Sequence, residues 1–584
     1  MNKKDLILNI LLFISQIIVF YYFFCYLFPF KEQLQMFQFT SQYLTETLKQ
    51  AGGVAIYISE FLSQFYVVFW TGPIISALLL TLVALLSSLI LKKINSRNDL
   101  PLIFLLPWLS LLIISLDYDY YEQGTIAYLF LLLFLWLYTN IKTRIKFIYG
   151  ICIIPILYGI AGPIVHLFAI SALFFEFLTN GKKKYISIIY LLIAALSAIA
   201  GTYLGYSRNL TLAFLPEAYC NPLQTVSGIY YAWYAMTMLL VAYLKRYKEP
   251  VSLKGKCIWE GAQWAIMFLL VYQGIFHFGK LDAQHSMKQD YLLRTEQWDL
   301  VISEFNHDVL SKRRMCGLNL ALAHKGQLSE RLLDYPQHGI ETLMLHWDQS
   351  IYTAQLHSDL YYCMGIISAA QKFAFEAFVS SRSSGNPRML KRLIETNLIT
   401  GSYPIADKYI QLLEKTWFYK DWATAHRRFL YNDKAVEEDK ILGMKRRCWK
   451  AEASAAKLYT DPVSSLINLL LACPDNKAGL AYLTSFLLLN KDIETYKTLQ
   501  ESLYRSPAWR DMTECQQEAI VICSPNDPHF WLEHGVSIKV RNRAIAFMQK
   551  VQDISRSGQN PAVALASEYG KTYWYYYMFN MMDK

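Results

Sequence analysis

The chain lacks the short motifs that announce the commonest enzyme classes. It has no Walker phosphate loop, no glycine-rich dinucleotide fingerprint after a strand, no Gly-x-Ser-x-Gly elbow and no His-Glu-x-x-His. These absences argue against an ATPase, a Rossmann enzyme and a zincin. Charge is scarce as well, at 17% of 584 residues, where soluble globular proteins carry about a quarter. Ten cysteines show no metal-type spacing: the closest pair, Cys515 and Cys523, has no second pair or histidine cluster nearby. Cys316, Cys363, Cys448 and Cys473 sit among apolar neighbours and read as buried thiols. Disulfides in an oxidising compartment stay open, and sequence alone does not pair them. A transporter would need broken helices in related halves, and Gly162-Pro163 is the single candidate break. A net charge of +10 raises the question of nucleic acid, but much of the positive charge sits in short loops between apolar runs, so no nucleic-acid partner is expected.

What the chain does have is long apolar runs, nearly all before residue 280. Lys3 and Lys4 precede a run from about Leu6 to Phe28. It is too long for a signal-peptide core and no cleavage site follows, so it reads as a first transmembrane helix. Further spans are predicted at 72–91, 101–116, 124–140, 147–161, 163–179, 185–204, 227–244 and 257–276, about nine in all. Residues 54–70 are apolar but contain Glu60, Ser63 and Gln64. They read as an interfacial or re-entrant amphipathic helix, because a crossing there would put Lys92, Lys93 and Arg97 opposite Lys3 and Lys4.

With that assignment sixteen basic residues gather on one side, while on the other, up to residue 226, there are only Lys31, Lys49 and Arg208. The bias sets the amino terminus in the cytoplasm. Nine crossings then put the carboxy-terminal half outside, which in a bacterium is the periplasm. Spans 147–161 and 163–179 are short for about 30 Å of hydrocarbon. A hairpin around Gly162-Pro163 would leave the parity unchanged. The boundary falls after the basic cluster at 245–256 and the apolar run 257–276, giving a membrane domain at 1–280 and a helical domain at 281–584.

From Leu281 onward the pattern is helical. Four turns share one local grammar: Glu296-Gln-Trp298, Gly326-Gln-Leu328, Gly401-Ser-Tyr403 and Lys491-Asp-Ile493. This looks like the middle turn of a tetratricopeptide-type hairpin, although the copies lie 30, 75 and 90 residues apart. The expected fold is therefore all-α, a polytopic transmembrane helix bundle followed by a tetratricopeptide-like α-solenoid. Near the end, Tyr573, Trp574, Tyr577, Met578 and Met581 fall on one helical stripe. That stripe should close the last repeat or pack on the membrane surface.

Three stretches carry a resemblance: Asp-Tyr-Asp-Tyr-Tyr at Asp117 to Tyr121, Asn-Leu-Ala-Leu-Ala-His-Lys-Gly at Asn319 to Gly326, and Tyr-Gly-Lys-Thr-Tyr-Trp at Tyr569 to Trp574. With the layout, they resemble an uncharacterised family of bacterial inner-membrane proteins known as a domain of unknown function. The resemblance covers the full chain and implies the architecture. It brings no activity and no catalytic residue.

The sharpest chemical candidate is the acidic set Asp117, Asp119 and Glu122, three carboxylates within six residues. Asp117 and Asp119 could ligate a divalent cation that neutralises a phosphate leaving group. Membrane glycosyltransferases acting on polyprenyl-phosphate sugars look similar here. They normally have an Asp just after the first helix, however, where this chain reads Phe28-Pro-Phe-Lys31-Glu32. His166, just past Gly162-Pro163, could join as base or phosphate partner. A solvated acidic loop needs no function at all.

Two expectations follow. The first is a protein anchored in the inner membrane, in contact with its lipids, that presents residues 281–584 to an envelope protein and needs no cofactor. The alternative is a glycosyltransferase-like enzyme at the periplasmic face, using a divalent cation.

Overall fold

Apolar runs punctuated by glycine, proline and short polar loops fold here into helices, and no strand occurs among the described residues. The computed structural model describes residues 3–580, except 95–98, 180–187, 305–310, 382–384, 454–461, 505, 511 and 526, and 222–249 apart from Leu240 and Tyr243. The predicted span 227–244, the Lys182–Lys184 loop and Met581 therefore lie outside the described residues. The chain divides into two compact units, Met1–Met287 with Lys415–Phe418, and Lys288–Glu414 with Tyr419–Lys584.

In the first unit α1 is Lys3–Phe23, α2 Leu27–Glu32, α3 Ser41–Leu48, α4 Gly53–Ser63 and α5 Thr71–Ile94. Then come α6 Pro101–Ser115, α7 Glu122–Asn140, α8 Thr143–Ala161, α9 Val165–Thr179, α10 Ile188–Tyr203 and a helix at Leu253–Phe278. Contacts sort the helix termini into two ends of the bundle. At one, Asp5 pairs with Lys92 at 2.7 Å and Lys146 with Glu176 at 3.2 Å. At the other, Lys31 meets the Ser115 carbonyl, Ser76 meets Glu122, Gly52 meets the Tyr158 carbonyl, and Ala51 meets that of Tyr206.

The α8–α9 stretch shows why contacts matter more than length. Ile145–Phe177 is 33 residues of apolar helix, and a straight helix would hold Lys146 and Glu176 about 45 Å apart. Their ion pair requires the chain to reverse at Gly162-Pro163, where Gly162 takes φ +80°. The hairpin foreseen from the sequence is there.

Glu176 is held in this buried pair with Lys146. Lys146 lies over the Tyr138 and Phe175 rings, and the Tyr138 hydroxyl donates to Glu176. Burial explains the tight cluster, since a carboxylate among apolar helices must find an opposite charge.

Four stretches are long and apolar enough to cross a membrane: Asp5–Phe23, Thr71–Ile94, Glu122–Asn140 and Ile145–Phe177. Leu253–His277 with Asp282–Arg294, bent by 56°, makes a fifth if taken together. Two expected spans are helices of 15 and 16 residues, Pro101–Ser115 and Ile188–Tyr203, only about 23 Å long. The stretch at 54–70 is α4, a 3-10 turn at Gln64–Val67, and an exposed Trp70. Gly52 before it and Tyr66 after it both lie at the second end.

Lipid tails offer helices little hydrophobic reason to associate, so close packing of small residues takes that role. Between α8 and α10, Gly150 leaves room for the Tyr190 ring and Gly201 for the Tyr158 ring. A Cβ at either glycine would collide with the ring. The order of these contacts makes α8 and α10 parallel, as two helices joined through one antiparallel hairpin arm must be.

In the second unit all four turns named from the sequence close in the same way. Glu296, Gly326, Gly401 and Lys491 adopt φ between +56° and +77°. The next amide donates five residues back: Gln297 to Leu292, Gln327 to Leu322, Ser402 to Asn397 and Asp492 to Leu487, at 2.8–2.9 Å. That is the Schellman closure, which satisfies carbonyls orphaned at a helix end. Gly365, Gly535 and Gly558 make further copies. The resulting hairpins are not confined to neighbour contacts, as a one-dimensional array would be. Helix Lys477–Leu489 packs on Lys312–His324, Leu328–Arg331 and Ile351–Met364, and Asn476 donates to the Met364 carbonyl at 2.8 Å.

The tail closes the unit's last helices. The Tyr573 and Tyr576 hydroxyls donate to the Leu488 and Leu489 carbonyls, the open end of their helix, at 3.0 and 3.1 Å. Trp574 donates to the Glu518 carbonyl. Tyr576 takes the inner place expected for Met578, which is 54% exposed, because the tyrosine hydroxyl reaches a carbonyl that a thioether cannot satisfy.

Candidate functional site

The acidic loop lies at the second end of the bundle, between α6 and α7. Asp117 accepts the Asp119 amide at 3.0 Å, an Asx turn that reverses the chain. Its other oxygen pairs with Lys280 at 3.2 Å, a half-exposed contact. Lys280 also lies over the Tyr118 ring. Asp119 is buried and accepts from the Asn221 side-chain amide at 3.1 Å, while the Asn221 backbone amide donates to the Asp119 carbonyl. Tyr120 and Cys220 form an antiparallel bridge, and the Tyr121 amide donates to the Tyr219 carbonyl. Two loops a hundred residues apart are thereby joined edge to edge.

Glu122 opens α7, where a carboxylate suits the positive end of the helix dipole. It is 3% exposed and accepts from Ser76 at 2.9 Å. Facing the three carboxylates is Lys31, buried on α2, which donates to the Ser115 carbonyl at 2.9 Å. Burial pushes the Lys31 ammonium down from its usual range, against the opposing pull of Glu122, Asp117, Cys220 and Asp119.

His166 reaches the same end by another route. The Tyr219 hydroxyl donates to the Ala161 carbonyl at 2.6 Å and accepts the Ile164 amide at 3.0 Å, fixing the Gly162-Pro163 turn. His166 follows on the first turn of α9 and stacks on Phe214, rings 4.8 Å apart and 8° from parallel. It also hydrogen-bonds the Ala213 backbone. So the fold gathers the turns bearing Asp117, Asp119, Glu122 and His166 into one layer of loops. Among the described residues no group of three or more His, Cys, Asp or Glu side chains is placed to hold a metal ion.

Several residues of this layer escape a reading of the sequence: Lys31, Lys280, Ser76, Asn221 and Tyr219. One signal was available. Lys31 is one of the three basic residues that the sequence assignment set apart from the other sixteen, and it lies opposite the carboxylates. The second unit holds an unforeseen polar network too. Asp359 binds Arg388 at 2.5 Å and Arg392 at 3.1 Å, and Arg388 also binds Asp290 at 2.7 Å. The Arg392 guanidinium stacks 3.5 Å from the Tyr362 ring centre.

The chain belongs to a family of unknown function, DUF6057, which matches residues 2–580. No curated protein and no solved structure matches it.

Proposed function

We propose that the chain is an inner-membrane protein whose second unit is a binding surface for an envelope protein, held outside the cytoplasm by a bundle of about nine crossings. The observation that carries this reading is that the acidic loop's carboxylates are engaged by the chain's own groups: Asp117 by Lys280, Asp119 by Asn221, Glu122 by Ser76. Such pairing suits a lock between loops better than a cation site, whose ligands would converge. Successive helical hairpins, with side chains such as Phe375 and Val379 exposed one turn apart, supply the kind of surface on which repeat proteins bind partners. The test is cross-linking in living cells, with the intact tagged protein carrying photoreactive residues at Phe375 and Val379. A recurrent envelope protein is the expected adduct; adducts to lipid alone would overturn the reading.

The buried Lys31 favours a second reading. An ammonium among carboxylates at a loop-rich end could meet the phosphate of a polyprenyl-linked sugar, with Asp117 and Asp119 holding a divalent cation and His166 acting as base or phosphate partner. Replacing Asp117 and Asp119 together by Asn separates the two readings. The first expects unchanged envelope glycans, and the second expects their loss at normal protein level.

A further inference from the structure

Cys448 and Cys473 lie on adjacent helices of the second unit, Lys440–Ala453 and the end of Pro462–Ala472. Their sulfurs are 3.6 Å apart. A disulfide needs about 2.05 Å, a gap that small side-chain rotations close. The other thiols with described partners are turned to backbone carbonyls: Cys316 to Glu341 and Cys523 to Ile493. The pair is fully packed, at 0% and 4% exposure, yet lies just under the surface. The Cys473 thiol donates to Asp475 at 3.1 Å, and Asp475 in turn pairs with the exposed Arg447. Beside both sulfurs sits the buried Lys445 ammonium, anchored on the Cys363 carbonyl at 2.9 Å.

The geometry points to Cys448 and Cys473 as a disulfide-forming pair, a covalent staple between two helices that closes because, on the orientation proposed above, the second unit lies in an oxidising compartment. The oxidant is a disulfide, RSSR, of the kind that thiol oxidases carry. The Cys448 thiolate attacks one sulfur of RSSR and releases RS⁻, which takes up a proton. Cys473 gives its proton to the Asp475 carboxylate or to water, and its sulfur displaces the second RS⁻ from the mixed disulfide. The protein dithiol loses two electrons, and RSSR becomes two RSH.

The electrostatics suit that order of attack. The hydrogen bond between the two sulfurs, and then the Lys445 charge, draw the Cys448 thiol below its ordinary range. The same hydrogen bond, burial and the neighbouring Asp475 push the Cys473 thiol up.

The test has two arms on the full chain. In cells, proteins are quenched in acid, alkylated under denaturation, reduced, and treated with a polyethylene-glycol maleimide. The expected result is a mobility shift for two protected thiols, absent in Cys448→Ser and Cys473→Ser and retained in Cys515→Ser. In the second arm, wild-type protein in detergent is incubated with oxidised glutathione and its peptides are mapped, which requires no variant to fold. Absence of the 448–473 linked peptide from this arm overturns the pairing. Linkage with glutathione but free thiols in cells supports the pairing and overturns the orientation instead.

Discussion

Glu518 offers a quantitative test of how the second unit is closed. Its carboxylate is 3% exposed and accepts the Tyr573 amide at 2.7 Å. Burial raises its pKa from 4.5 to about 7, and the Tyr573 hydrogen bond and Arg543 offset only part of that. The folded state therefore holds the proton more tightly than the unfolded chain. The stability this confers is present in full below pH 4.5 and is lost as the pH rises through about 7. At 1.36 kcal/mol per unit the change is on the order of 3 kcal/mol, about a hundredfold in the opening equilibrium.

Glu518→Gln keeps an acceptor for Tyr573 and removes the titration. Hydrogen exchange of helices Glu514–Cys523 and Tyr573–Phe579, in the detergent-solubilised full chain, compares variant with wild type at each pH. All other titrating groups cancel in that difference. The variant should match wild type at pH 4.5 and be protected up to about a hundredfold more at pH 8. A difference that stays constant between those pH values would refute the argument that burial governs Glu518.

Other outcomes follow from particular contacts. Gly401→Ala meets open space but a left-handed backbone at φ +77°, so it should lower the unfolding midpoint by the equivalent of about 1–2 kcal/mol. Asp359→Ala leaves the Arg388 and Arg392 guanidinium groups short of their buried partner and should cost about 3 kcal/mol in urea unfolding. Ala at Glu438, in the exposed pair with Lys434, should change less than about 1 kcal/mol. Reporter fusions at Thr143, Gly181 and Tyr247 should mark the cytoplasm, and fusions at Gln42, Gln123 and Leu215 the outside. A cytoplasmic signal at Leu215 would overturn the assigned parity.

Much of this protein is local and therefore legible in its residues. A left-handed turn needs only the six residues from a carbonyl to the amide that closes on it. For that reason Glu296, Gly326, Gly401 and Lys491 could be named before any coordinates, while Gly365, Gly535 and Gly558, with weaker flanking patterns, could not. Apolar runs and the glycine-proline break at 162–163 likewise set where helices start and reverse. The candidate site is the opposite case. Asp117 finds Lys280, Asp119 finds Asn221, Glu122 finds Ser76, and Cys448 finds Cys473. Each partner lies tens to more than a hundred residues away, on a different helix or loop. Helical periodicity says which face of a segment is apolar, not which distant loop will lie against its end. Only the packed bundle settles that, because it brings together the helix ends whose polar and charged groups must be satisfied inside the fold.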